Sequence, residues 1–113
     1  MADAGIKAEV HKLIHDLVLH IHKNEPDIEK SILIFLPTYY SLEQQWFFLK
    51  PFSKTFKVHI LHRSVDTEQA LKAMKIWKSH RKVTYLILGF ATCLVQGLLD
   101  WKMFILTTIH EKN

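Results

Sequence analysis

The first segment carries three histidines on one side: His11 and His15 are four residues apart, and His22 follows seven later. Two histidines at i and i+4 of a helix can clamp a divalent cation. The residue after His11 is Lys12 rather than the Glu of a His-Glu-x-x-His metalloprotease site, and a lysine is a poor neighbour for a bound metal. The reading is therefore a solvated polar helix face and no metal site. Nucleophiles are equally sparse. Cys93 stands alone in an apolar stretch, with no adjacent cation to lower its pKa, and it leaves no partner for a disulfide or a Cys-rich zinc site. Ser64 beside His62 lacks an evident third member and reads as a loop hydrogen bond rather than a catalytic pair. The glycines, Gly5, Gly89 and Gly97, fit neither the phosphate loop nor a Gly-x-Gly dinucleotide turn. No catalytic residue is expected.

A better polar cluster follows two apolar runs. Thr38, Tyr39 and Tyr40 come after Ser31–Leu36, and His62, Arg63 and Ser64 after Phe56–Leu61. If those runs are parallel strands, both groups lie at the sheet's carboxyl edge, where open α/β sheets bind ligands. Hydroxyls, an arginine and helix N-termini suit phosphate oxygens. The plainer alternative is capping of the next helices by Ser41 and Thr67.

The elements that would position this cluster follow from periodicity. Ile6, Val10, Leu13, Ile14, Leu17, Val18 and Ile21 recur at helical steps, predicting an amphipathic helix over residues 6–22 with Asp3 as its cap and Pro26 beyond its end. Ser31–Leu36 is continuously apolar, as suits a strand buried on both faces. Ser41–Lys50 reads as a helix with Leu42, Trp46 and Leu49 on one face. Phe56–Leu61 is a second strand, and a third helix opens at Asp66 or Thr67, with Ala70, Leu71, Met74 and Trp77 inward. Ser79–Lys82 forms a basic turn before a third strand from Val83. Alternating strands and helices of these lengths predict an α/β fold with a parallel sheet of about three or four strands and right-handed crossovers. Trp101–Ile109 is a further strand or helix packed on that sheet.

Composition bounds the rest. At 113 residues, 49% hydrophobic, the chain makes one domain with a real core and no room for two lobes around a cleft. A net charge of +4 is compatible with a polyanion, and eight histidines make that charge sensitive to acid. The N-terminus lacks a charged-then-apolar leader, so secretion is not expected, and the lone cysteine fits a cytoplasmic or nuclear setting. Val83–Leu99 carries no charge, and a membrane anchor with Arg81 and Lys82 at the interface is the rival reading; at 17 residues it sits at the short limit for a span. A third reading is an interaction module using Tyr39, Tyr40, Trp46 and Phe47.

Three motifs then carry a resemblance. Ser31-Ile-Leu-Ile-Phe-Leu-Pro37 resembles the ILVFLPG strand that opens the second RecA-like domain of DExH-box RNA helicases. Val58-His-Ile-Leu-His62 resembles that domain's V-x-x-LHS strand, and Ser79–Val83 resembles the lead-in to RKVILATNIAE. Leu36–Lys50 is most similar to plant members that also carry a CCCH zinc finger. The resemblance covers about residues 8–83. It implies a partial RecA-like sheet and RNA-facing positions at Thr38, His62, Arg63 and Ser64, with Thr38 standing where the family has Gly and Arg63 where it has Ser. The family's cofactors are ATP and magnesium. This chain lacks the phosphate loop, the DExH box and the arginine-finger motif, so it is expected to hold no cofactor and to hydrolyse no ATP alone. The implied division is an N-terminal helix (1–27), an incomplete helicase C-terminal half (28–83) and a divergent apolar tail (84–113), as in a truncated product. Implied partners are RNA, bound weakly, and the partners of the parent helicase.

Overall fold

The computed structural model describes residues 7–62, 67–87 and 103–107. In chain order these form α1 (Ala8–Asn24), β1 (Ser31–Leu36), α2 (Tyr39–Leu49), a short 3-10 turn (Lys50–Phe52), β2 (Phe56–Leu61), α3 (Thr67–Ala73), β3 (Arg81–Ile87) and β4 (Met103–Thr107). The strands make one parallel sheet in the order β2-β3-β1-β4. The mixed α/β architecture and the parallel sheet with flanking helices are as expected, and Ser31–Leu36 and Phe56–Leu61 are strands over their full predicted lengths.

The order of strands dictates the layers. The chain leaves β1, passes over the position of β3 to reach β2, and then returns to form β3 between them. Two right-handed crossovers that run in opposite directions along a sheet put their helices on opposite faces. Alternation along β1 matches this: Ile32, Ile34 and Leu36 pack with Ile14 and Val18 of α1 and Leu42 and Leu49 of α2. Leu33 faces the other way, with Ala70 and Ala73 of α3 and Leu86 of β3. β1 is covered on both faces and flanked by strands on both edges, which explains its uninterrupted hydrophobicity.

Several expectations are corrected by packing. In α1 the inward stripe is His11, Ile14 and Val18, whereas Leu13 (56% exposed) and Leu17 (38%) point outward. The apolar stripe read from sequence was wider than the face the sheet can cover. His11 is thus not on a solvated face: Gln45 of α2 donates from Nε2 to its Nδ1 and its carbonyl, each at 2.9 Å. His15 is half-buried and stacked on Phe48, with ring centroids 5.3 Å apart. Helix α2 begins two residues earlier than expected, and Trp46 is only half-buried while Gln45 takes the inner position. In α3 Leu71 is exposed, and the helix ends at Ala73, before Met74 and Trp77. The Asp3 cap and Asp66 lie outside the described residues.

Arg81 is the largest departure. Expected in a basic turn, it opens β3 and is 1% exposed. Its guanidinium spans the α1–β1 connection: Nη2 donates to the Glu25 carbonyl at 2.6 Å, Nη1 to the Lys30 carbonyl at 2.7 Å and the Asp27 carbonyl at 3.3 Å, and Nε to His22 Nδ1 at 2.8 Å. A planar fork with five N–H donors satisfies several carbonyls at once, which lysine cannot do.

The membrane reading fails at its start. Val83–Ile87 is strand, hydrogen-bonded to neighbours on both sides, and no helix among the described residues is long and apolar enough to cross a membrane. Residues 88–99 of that stretch, Cys93 included, lie outside the described residues.

Candidate nucleic-acid interface

The carboxyl edge of the sheet is where the connections diverge. The chain leaves β1 toward β2, whereas β4 lies on the far side of β1 from β3, so the direction of travel reverses between β1 and β3. In open parallel sheets such a reversal is where ligands bind, beyond the carboxyl ends of the strands. Thr38 stands at that point, two residues after β1.

Thr38 is the N-cap of α2 in a reciprocal box. Its Oγ1 accepts the Ser41 N–H at 3.1 Å, and Ser41 Oγ accepts the Thr38 N–H at 3.1 Å. Ser41 Oγ in turn donates to the Thr38 carbonyl at 2.7 Å. The proton of Ser41 is thereby committed, so in the 3.1 Å contact between the two hydroxyls Thr38 is the donor. That proton is therefore engaged within the box, in the bond to Ser41 Oγ. Thr38 rather than Ser41 is the cap.

His62 follows β2 directly, and its ring meets the Tyr39 ring edge-on with centroids 4.9 Å apart. The contact reaches across the end of β3 and joins the two predicted halves of the cluster. Tyr39 and Tyr40 are 51% and 52% exposed, which leaves two aromatic faces at the same edge. The structure thus brings Thr38 and His62 to one edge of the sheet; Arg63 and Ser64 lie outside the described residues. Among the described residues no group of three or more His, Cys, Asp or Glu could hold a metal ion.

Similarity to known proteins bears on this geometry. The chain is 71% identical over 82 residues to a DExH-box ATP-dependent RNA helicase of Arabidopsis thaliana. It is 68% identical over 82 residues to a zinc finger CCCH domain-containing protein of Oryza sativa subsp. japonica. The matched residues are a segment of the plant DExH-box RNA helicase family. Each match takes in 73% of this chain, and the chain spans 8% of the length of each relative. No family model matches the chain.

A further group of residues was not anticipated from sequence. Lys57 at the start of β2 and Lys75 beyond α3 both place Nζ 4.7 Å from the centre of the Trp77 ring. Lys82 Nζ donates to the carbonyls of Ala73 at 2.8 Å and Lys75 at 3.2 Å, where α3 ends. His59, on the same face of β2, is held neutral, its pKa pushed down to about 4 by burial first and then by Lys82 and Lys57. The basic residues are visible in the sequence, but nothing in their spacing shows that they converge.

Proposed function

We propose that this chain is an RNA-backbone-contacting piece of a helicase's second RecA-like domain, and that it does not hydrolyse ATP by itself. The observation that supports the reading most is the Tyr39–His62 ring contact, which joins the start of α2, capped by Thr38, to the end of β2 at the carboxyl edge, in a segment 71% identical to a plant RNA helicase. A phosphate oxygen takes the Thr38 hydroxyl proton in exchange for its bond to Ser41 Oγ, His62 offers its ring, and Tyr39 and Tyr40 offer exposed aromatic surface. Arg63 and Ser64 complete the set by resemblance.

The residues at this edge do not fit a nucleotide triphosphate. The turn after β1 is Pro37-Thr38, with no glycine that would let several backbone N–H groups approach phosphates, and Thr38 Oγ1 is already accepting from Ser41. RNA is bound here through a few backbone contacts, which makes the binding weak and strongly dependent on salt. Filter binding of single-stranded RNA at low and moderate salt tests this. Binding at low salt that weakens steeply with added salt is the expected result, and no retention at low salt removes the RNA assignment.

A second reading rests on exposure. Tyr39, Tyr40 and Phe47 leave exposed aromatic rings on α2, whereas Phe48 and Phe52, though partly exposed, pack on His15 of α1. Such a surface would compete for partners of the parent helicase, and a pull-down with the Phe47→Ser chain against the unaltered chain tests it.

A further inference from the structure

The basic residues around Trp77 lie at the amino end of the sheet, the pole opposite Thr38 and His62. An open groove of about 330 Å³ runs from there along β2, which has no strand beyond it among the described residues. Its wall is the strand from Lys57 to Leu61, and Gln69 and Lys72 of α3 close its other side. That volume is at the lower end of ligand-sized clefts, which span ~300–1,000 Å³. Among the described residues no Asp or Glu lines it. Lys72 and Lys75 are exposed, and the Lys72–Glu68 pair at 3.7 Å is a surface contact of small worth.

We propose that this groove is a second polyanion site, in which Lys57 and Lys72 of its lining, with Lys75 beyond the groove on the same Trp77 ring as Lys57, hold the phosphate backbone of single-stranded nucleic acid. Three observations carry it. The lining includes Lys57 and Lys72 and, among the described residues, no Asp or Glu, and the Glu68 carboxylate that meets Lys72 does so only through an exposed 3.7 Å contact. Trp77 props Lys57 and Lys75 at equal distances, so their heads are positioned before a ligand arrives and lose less freedom on binding. The cationic field is felt inside the protein, since Lys82 and Lys57 both oppose protonation of His59. With the lysines already placed over the indole, the site reads charge rather than bases, and no sequence preference is expected. An acidic peptide added along β2 is the competing occupant; Lys57 on that strand is the kind of side chain that discourages strand addition.

The site goes beyond the carboxyl-edge assignment and is separable from it. The full chain is titrated with fluorescein-labelled oligouridine by anisotropy at several salt concentrations. The Lys57→Gln/Lys72→Gln/Lys75→Gln chain is expected to bind at least tenfold more weakly at low salt. Its log Kd should rise less steeply against log salt, by about 0.7 for each phosphate no longer held. Replacement of the same three lysines by Arg should restore both. Thr38→Ala/His62→Ala leaves this change in slope intact even if it weakens binding, so failure of the carboxyl-edge site is distinguishable. An unchanged affinity and slope in the Gln variant, with the same circular dichroism spectrum as the parent, overturns the proposal. So does tight binding of poly-glutamate by a chain that ignores oligouridine.

Discussion

Arg81 shows how far one side chain can organise its surroundings. Its guanidinium is removed from water, yet each direction of the fork meets an acceptor, three of them carbonyls of the segment that joins α1 to the sheet. Burial pulls its pKa down while Glu25 and Asp27 push it back up. Replacing it with Met preserves the bulk and leaves those carbonyls and His22 Nδ1 without donors. Unsatisfied buried acceptors cost about 1–3 kcal/mol each, so Arg81→Met should lose about 3 kcal/mol or more of stability in urea titration. Arg81→Lys, with a single ammonium, should recover only a minor part. Two histidines give a second prediction at this scale. His22 is held low by burial and by Arg81, and His59 sits at about 4 against an ordinary 6.5. The unfolded chain therefore binds more protons than the folded one below the ordinary value, so folding is favoured as pH rises. Stability should be full above roughly pH 6.5 and should fall as the pH drops toward about 4. His59→Gln should flatten that decline in melts recorded across the range, and an equal decline in both chains would show that His59 does not contribute.

At the scale of elements, the cap of α2 is where structure and proposed function share atoms. Thr38 and Ser41 satisfy two backbone N–H groups reciprocally, and Ser and Thr caps are worth about 1 kcal/mol. Thr38→Ala should cost about that much in stability and also weaken RNA retention. Thr38→Asp keeps the acceptor but adds a negative charge, so it should preserve stability while abolishing retention. The two variants, read by thermal melting and by filter binding, separate the cap from the contact. Strand positions were legible in the sequence because Ser31–Leu36 and Phe56–Leu61 are dense in β-branched and aromatic residues and bounded by breakers. The covered face of α1 was not. Helical periodicity identifies which residues share a side, but the width of the buried stripe is set by what lies opposite, and Leu13 and Leu17 fall beyond the reach of the sheet and α2. His11 shows the converse: a polar residue goes inside because Gln45, 34 positions away, supplies its partner.

For the whole molecule the decisive feature is that β1 and β3 are internal strands. β4 hydrogen-bonds along β1 from Ser31 to Phe35, so residues at the far end of the chain cover the edge of its most apolar strand. Ending the chain after Ile87 would expose that edge as a template for pairing with other chains. Such a shortened chain should aggregate and lose the cooperative melt expected of the full one, as read by light scattering and circular dichroism. A soluble chain with an unchanged cooperative melt would show that β4 is dispensable. The strand that includes Val83 also runs through to Ile87 without interruption, so the change in sequence character after Val83 does not coincide with the end of an element. Composition and periodicity alone determined the class of fold, the first two strands and the polar cluster after each, because those depend on neighbours in sequence. Strand order, the burial of Arg81, the meeting of Tyr39 with His62 and the gathering of lysines about Trp77 were decided only in three dimensions. Each pairs groups distant along the chain, and no local pattern encodes the free energy of contacts that exist only once the sheet has formed.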